Sequence, residues 1–535
     1  MVKTVAVIGA GISGLAAVKS CLEEGLEPTC YEKRDDIGGV WRFTDNVEDG
    51  SPSIYKSLVS NSSKELMSLS DFPMPENFPN YLPNAKYLEY CKLYAENFQL
   101  MKHIKLKTTV CNVQRHSDFS LTGKWVVVTK NGEEKNTTVF DAVMICTGQY
   151  TQPVLPLDSF PGIKNFKGEI LHSRDYKKPV GYDGKKVLII GMGNSGVDIS
   201  TDLCTKASQV YLSTRRGVCV FRRLGPDGLP VDLSFTTRFR SLVQKTVPTA
   251  VSRMMINQSM NEQFNHGLYN IQPECLLSKE PLINEELPSR ILAGLIIMKP
   301  GVTRFTETSA HFSDGTSVDD LDVVILATGY HVKFPFLEES VINVDNNKGF
   351  LYKKIFPVNL QQPTIAFICF IQPIGPLMVI AELQCRWATR LFKGLLKLPS
   401  TKEMKDHLDE DEMFRLHWFE TAHQNWRRVD YVQYLDNLAS DINVKPNILK
   451  LMLTDPVLGF KLLFGPNIAY QYRLSGPGKW AGARKTIMTQ WDRMEKPLRT
   501  RGMKKSSPSP IAVFASLLPW FLCFVVLCAA ILIKG

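Results

Sequence analysis

Two short glycine-rich runs are the first residues in this chain whose spacing implies chemistry. Gly9-Ala10-Gly11-Ile12-Ser13-Gly14 stands near the start, and Gly191-Met192-Gly193-Asn194-Ser195-Gly196 repeats the same GxGxxG spacing 182 positions later. Each follows a short apolar run, Val5-Ala6-Val7-Ile8 or Val187-Leu188-Ile189-Ile190, of the kind that makes a buried parallel strand. Each precedes a helical pattern, which in the second copy runs through Val197, Asp198 and Ile199. In such a turn the first glycine permits the tight bend, the second lets backbone approach a pyrophosphate, and the third lets helix pack against strand. The free N–H groups and dipole at the helix start favour the phosphates' charge.

The residues after each turn distinguish the two nucleotides. The second strand, residues 28–32, ends in Glu32, eighteen positions after Gly14. A carboxylate there accepts from both ribose hydroxyls and repels a 2′-phosphate, so the first site takes FAD or NAD. The continuation, residues 34–41, supplies Gly38-Gly39 followed by Val40 and Trp41, a second backbone approach that favours FAD. In the second unit the matching strand ends in Thr214-Arg215-Arg216, with Arg222-Arg223 close behind. A hydroxyl among guanidiniums suits a 2′-phosphate, hence NADPH, and the sequence does not single out which arginine makes the contact. One held flavin and one reductant describe a flavoenzyme that accepts hydride.

The elements that position these residues read as α/β: two Rossmann-like dinucleotide-binding domains, for FAD and NADPH, with a helical insertion and a C-terminal transmembrane helix. Residues 141–148 (DAVMICTG) and 322–329 (DVVILATG) are apolar strands ending in Thr-Gly, placed where the chain would pass between the two domains. They predict a FAD domain in two parts, 1–155 and 331–440, around an NADPH domain at 156–330. Residues 215–295 form an insertion with two expected helices over the active-site mouth, and 441–510 a membrane-proximal region. Residues 511–533 (IAVFASLLPWFLCFVVLCAAILI) hold no charge. As a helix they would span roughly 35 Å at about 1.5 Å per residue, enough for a hydrocarbon core of about 30 Å.

The formal charge is +10, from 63 Lys plus Arg against 53 Asp plus Glu, but no basic run or aromatic-basic repeat points to nucleic acid. Part of the excess lies just ahead of the apolar tail, at Lys479, Arg484, Lys485, Arg493, Lys496, Arg499, Arg501, Lys504 and Lys505, where membrane lipid is the expected partner. With only Lys534 beyond, the positive-inside rule leaves the bulk of the chain in the cytoplasm on a tail anchor. MVKTVAVIGAG has no signal-peptide pattern. The twelve cysteines show no CxxC pair and no histidine cluster at ligand spacing, so no metal site is expected.

Between the two predicted domains, residues 166–176 read FKGEILHSRDY. This matches FxGxxxHxxx(Y/F), the fingerprint of flavin-containing monooxygenases, and with both glycine turns, residues 37–41 (IGGVW), Ser60-Asn61-Ser62 and residues 327–330 (ATGY), the chain closely resembles the mammalian microsomal members from end to end. The resemblance implies that NADPH reduces FAD, that NADP⁺ stays bound while O₂ adds at the flavin C4a carbon, and that the hydroperoxide gives one oxygen to a small soft nucleophile, an amine or thioether. It implies an endoplasmic reticulum membrane location. It also implies that Asn61 is the side chain beside the flavin, that Ser60 and Asn61 touch NADP⁺, and that Asn61 and Ser62 line FAD. Ser195 to Asp198 would lie at the NADP⁺ helix start, with Thr214 and Arg223 also assigned to NADP⁺. Gln372 would approach the flavin, and His172 would be structural.

The sequence departs from the family at Leu326, commonly Phe, and at Leu229, commonly aromatic, which puts substrate range and coupling in question. Baeyer–Villiger oxygenation of ketones is the first alternative, disfavoured by Tyr176 where such enzymes usually have Trp. A disulfide reductase lacks its cysteine pair, since Cys91 is the next cysteine after Cys30. A non-catalytic nucleotide-binding protein and an NADPH oxidase releasing hydrogen peroxide share the same motifs. The apolar residues at 447–453 and 456–464 could pack internally, dip into a bilayer or form a homodimer.

Overall fold

The computed structural model describes residues 2–225, 228–273, 281–342, 351–419 and 427–502. The apolar run at 511–533, expected to cross a membrane, lies outside the described residues. No helix among the described residues is long and apolar enough to do so.

Two five-stranded parallel sheets organise the chain. The first runs in the order Ile365–Phe367, Ala142–Ile145, Thr4–Ile8, Glu27–Tyr31, Ile104–Lys105. The second runs Ile296–Lys299, Gln209–Ser213, Lys186–Ile190, Val323–Leu326, Glu169–His172. In both, the strand that feeds a glycine turn is central. On one side lies the strand that follows its helix, and on the other the strand ending in Thr-Gly. Val5, Ala6 and Val7 in one centre, and Val187, Leu188 and Ile189 in the other, are fully buried. Burial on both faces explains why these strands read as unbroken apolar runs rather than alternating ones.

The two sheets differ in where their outer strand comes from. The first recruits Ile365–Phe367, from far beyond the second sheet in sequence, so the chain leaves the first sheet after Ile145 and later returns to it. The second recruits Glu169–His172, which carries the fingerprint. A Cβ on Gly168 would lie 2.5 Å from both Asp322 O and the Phe166 ring, so the fingerprint glycine is required for this strand to dock.

The insertion holds four helices among the described residues, Asp232–Phe235, Arg238–Thr246, Thr249–Gln263 and Glu286–Leu292, where the pattern predicted two. Beyond the returning strand, helix Leu377–Phe392 packs along the first cradle's helix Ile12–Glu23 and is buried on almost every face. The region after 441 is tied into the same core. Arg473, fully buried, donates to Glu23 Oε1 (3.0 Å), Glu382 Oε1 (3.2 Å) and Ser70 Oγ (2.7 Å) and pairs with Asp71. Burial of so many charges is tolerated because each is paired.

Candidate active site

The two glycine turns are near-copies in space. Gly9 and Gly191 adopt φ of 99° and 113°, which an L side chain resists, and a Cβ on each would meet a carbonyl of the neighbouring Thr-Gly strand, Cys146 O at 2.8 Å or Ala327 O at 2.4 Å. A Cβ on Gly14 would lie 1.8 Å from Gly9 O, and one on Gly196 2.0 Å from Gly191 O. Both helices start without a side-chain cap and without an acidic residue in the first turn, leaving their N–H groups to an anion. Nothing lies within 4 Å of a Cβ placed on Gly193, so the approach to the second turn is open. These cradles fit two pyrophosphates.

Around the first turn, Glu32 is buried at the strand end and accepts from Ala10 N (2.8 Å) and Arg34 N (2.9 Å). That ties it to the glycine turn. Gly39, with φ of 56°, faces Gly11 so closely that a Cβ would come within 2.9 Å of its Cα. Val40 and Trp41 follow in the short helix Gly39–Trp41, and the Trp41 ring packs 4.5 Å from Tyr87. Ile12 packs against the core, while the Ser13 carbonyl accepts from Cys385 Sγ. Gln372 is held through its backbone, its N–H donating to Arg427 O at 2.8 Å.

At the second turn, Asn194 Oδ1 accepts from Ile283 N of the insertion (3.1 Å), and Val197 is fully buried. Ser195 is half-buried in the first turn of the helix. Thr214 donates to Arg216 O at 2.6 Å at the end of the matching strand. Arg215 and Arg216 beside it are exposed and make no ion pair among the described residues. Arg223 is engaged elsewhere.

Its guanidinium grips the segment assigned to the flavin: Nε donates to Ser60 O (3.1 Å), Nη2 to Asn61 Oδ1 (2.8 Å), and Nη1 pairs with Glu285 (3.1 Å). The amide oxygen of Asn61 is therefore occupied, which leaves its NH₂ as the group free to donate. Ser60 Oγ donates to Ser62 O (2.9 Å) and accepts from Leu82 N (2.8 Å), bracing the same turn.

Asp198 also differs from a plain nucleotide contact. Its carboxylate accepts from Tyr55 OH (2.6 Å) and Asn284 Nδ2 (2.9 Å), and burial pushes its pKa up. One turn on, Asp202 accepts from Tyr176 OH (2.7 Å) and Ser57 Oγ (2.9 Å). The second cradle's helix is thus bolted to the segment that leads into Ser60 and Asn61. No spacing in the sequence signals these long-range pairs. His172 Nε2 lies 3.1 Å from Gly329 O, and its Nδ1 accepts from Arg174 N (3.1 Å), a fully satisfied neutral ring at the junction of fingerprint and Thr-Gly turn. Burial lowers its pKa, in keeping with a structural part. Leu326 is buried in the core on one face of the second sheet, paired with Ile190 just before the second glycine turn, and Leu229 packs against a separate apolar cluster.

Two dinucleotide cradles, each on a five-stranded parallel sheet, define a two-nucleotide α/β flavoenzyme. A model of the flavin-binding monooxygenase-like family matches residues 2–534, and the chain belongs to that family. It is 50% identical over 515 residues, 96% of each chain, to dimethylaniline monooxygenase (N-oxide-forming) 2 of Cavia porcellus. It is 50% identical over 519 residues, 97% of each chain, to flavin-containing monooxygenase 2 of Homo sapiens, and 49% identical to flavin-containing monooxygenase 5 of Rattus norvegicus over 94% of this chain and 95% of that one. Its fold is shared with S-allyl-L-cysteine S-oxygenase of Allium sativum (TM-score 0.63, 24% identity, 91% and 99% of the two chains) and with a cyclohexanone monooxygenase (TM-score 0.60, 16% identity, 86% and 99%). The chain is an NADPH-consuming flavin monooxygenase that uses FAD.

Proposed function

We propose that this enzyme transfers one oxygen atom from O₂ to soft nucleophiles, amine nitrogen and thioether sulfur, in small metabolites and foreign compounds. The observation that carries the reading is Asn61: its side chain is a neutral amide, its oxygen fixed by Arg223 and its NH₂ left to donate. Such a group orients oxygen without supplying an acidic proton. The names of the relatives, dimethylaniline monooxygenases that form N-oxides, support the same substrate class.

FAD, when bound, supplies hydride acceptance and oxygen activation, and the protein supplies position and shielding. Gly9, Gly11, Gly14, Gly38 and Gly39 would hold its phosphates, and Glu32 its ribose. Gly191, Gly193 and Gly196 would hold those of NADPH, with Thr214 and the exposed Arg215 and Arg216 suited to the 2′-phosphate. Ser60 and Asn61 would contact NADPH, Asn61 and Ser62 would line FAD, and Gln372 would approach the flavin from the returning segment. Arg223 of the insertion reaches Asn61, its own carbonyl held by Tyr81 OH at 2.7 Å, and from that place the insertion would shield the reacting atoms from water.

The reading extends to a lipid surface of the endoplasmic reticulum, with residues 511–533 as anchor. Leu449, Leu453, Val457 and Phe460 stand exposed on helices Ile448–Thr454 and Pro456–Phe464, an apolar patch of the kind that meets a membrane or a second copy of the chain. Not every nearby cation serves that surface: Arg493 is buried against Glu65, Arg484 pairs with Asp455 and Lys496 with Glu76. Lys479, Lys485 and Arg501 are exposed and pair with no acid among the described residues. Flotation with anionic vesicles supports lipid as the occupant; a vesicle-indifferent dimer supports the second copy.

The substrate reading is tested by incubating FAD-saturated enzyme and NADPH with N,N-dimethylaniline, methyl phenyl sulfide and cyclohexanone in separate reactions. N-oxide and sulfoxide formation with little lactone is the expected outcome. Lactone as the main product would replace this reading with ketone oxygenation.

A further inference from the structure

Asn61 sits in a three-residue bridge, Asn61-Ser62-Ser63, whose neighbours are anchored on both sides. Upstream, Ser60 N donates to Leu82 O (2.9 Å), and Ser60 O accepts from Arg223. Downstream, Lys64 N donates to Asn80 O (2.8 Å) and begins the short helix Lys64–Met67. Between these, Ser63 N donates at 2.6 Å to Oδ2 of Asp232, a residue of the insertion. Asp232 and Ser63 are both buried. The carboxylate's other oxygen, Oδ1, completes no hydrogen bond among the described residues, although the Ser63 hydroxyl and the backbone N–H groups of Asp232 and Leu233 are near enough to favour its charge. A carboxylate kept in a buried site with no ion pair among the described residues is costly to the fold, and such cost concentrates where position matters.

We propose that Asp232 is a positioning residue for Asn61: by holding Ser63 N it fixes the downstream end of the bridge, as Arg223 fixes the upstream end, and together they set the direction of the Asn61 NH₂. The insertion then acts as the outer jaw of a clamp on the oxygenation site. The inference rests on the reading of Asn61 as the donor beside the flavin. Asp232 touches neither cofactor nor substrate in this scheme and acts only through the Ser63 peptide. Its requirement is an acceptor at the Oδ2 position, not a charge, so asparagine replaces it and alanine does not.

The experiment compares wild type, Asp232→Asn, Asp232→Ala and the near-isosteric Asp232→Leu as full-length FAD-loaded enzyme. Two readouts are taken: amide hydrogen exchange over residues 59–66, and the share of NADPH oxidation that ends as hydrogen peroxide with methyl phenyl sulfide present. Alanine and leucine are expected to speed exchange at Ser63 and to raise the peroxide share on the order of tenfold, the scale of losing a buried charge-assisted hydrogen bond. Anaerobic flavin reduction by NADPH is expected to stay near the wild-type rate, and asparagine to restore both readouts. Faster exchange in both the alanine and leucine variants with an unchanged peroxide share would make Asp232 merely structural and overturn the proposal. Unchanged exchange would overturn it at its first step. If alanine fails to fold, leucine carries the comparison. If the wild type yields no sulfoxide, the functional reading fails, whereas the exchange data still decide whether Asp232 holds the bridge.

Discussion

Asp232→Asn makes a prediction that separates stability from function. Burial pushes the Asp232 carboxyl from its ordinary 3.8 up to about 6, with Ser63 N its hydrogen-bond donor from across the site. At pH 7.5 the group is charged in both folded and unfolded chains. At about 1.36 kcal/mol per pH unit, holding that charge in the fold costs about 3 kcal/mol. Because the folded chain binds this proton more tightly than the unfolded one, the cost is complete above pH 6. It fades as pH falls from 6 towards 3.8. Asparagine keeps an acceptor for Ser63 N and carries no charge at any pH. The variant is therefore more stable than wild type by up to about 3 kcal/mol at pH 7.5, and the advantage shrinks towards pH 4. For a chain of this length unfolding as one unit, that is a rise in Tm of about 3 °C, from an unfolding entropy of about 2.1 cal/mol/K per residue. Thermal unfolding followed by FAD release and circular dichroism, at pH 7.5, 6.0 and 5.0, reads the difference between the two proteins. A variant no more stable than wild type, or one whose advantage is the same at all three pH values, would refute the burial argument.

Substitutions elsewhere test the second cradle and the buried charges. Gly196→Ala forces a Cβ to within 2.0 Å of Gly191 O, so the KM for NADPH is expected to rise by roughly tenfold or more while FAD content, read by absorbance, stays full. Arg215→Ala is expected to weaken NADPH binding by roughly 10–100-fold and leave NADH nearly unaffected, as steady-state kinetics with the two reductants will show. Arg473→Leu leaves buried Glu382 without its cation and Glu23 and Asp71 with Lys19 alone, and is expected to cost about 3–5 kcal/mol, measured by chemical unfolding.

The cradles were legible in the sequence because each is local. A strand, a glycine turn and a helix are contiguous, and Glu32 or Thr214 comes within one strand-helix-strand unit. The two Thr-Gly strands were legible for the same reason, as unbroken apolar runs ending in glycine. Contacts between distant segments escaped. Tyr55 with Asp198, Tyr176 with Asp202, and Ser63 with Asp232 join residues brought together only when both sheets are built. Asp198 read as a nucleotide contact from its place at the helix start, yet its carboxylate is directed at Tyr55 and Asn284. Arg223 read as a phosphate ligand by its charge, yet it grips Asn61. For Asp232 a faint signal existed: a lone acid inside Pro230-Val-Asp-Leu233, an apolar stretch where a carboxylate needs a reason. Arg473 offered none, since a single arginine in a loop is ordinarily solvated.

The most direct test of the account uses isotopic oxygen. FAD-saturated enzyme is supplied with NADPH, ¹⁸O₂ and methyl phenyl sulfide, and the sulfoxide is analysed by mass spectrometry against NADPH consumed and peroxide released. The account predicts one ¹⁸O in each sulfoxide and close to one sulfoxide per NADPH. NADPH consumed with labelled peroxide and little or no sulfoxide would contradict it and make the protein an oxidase.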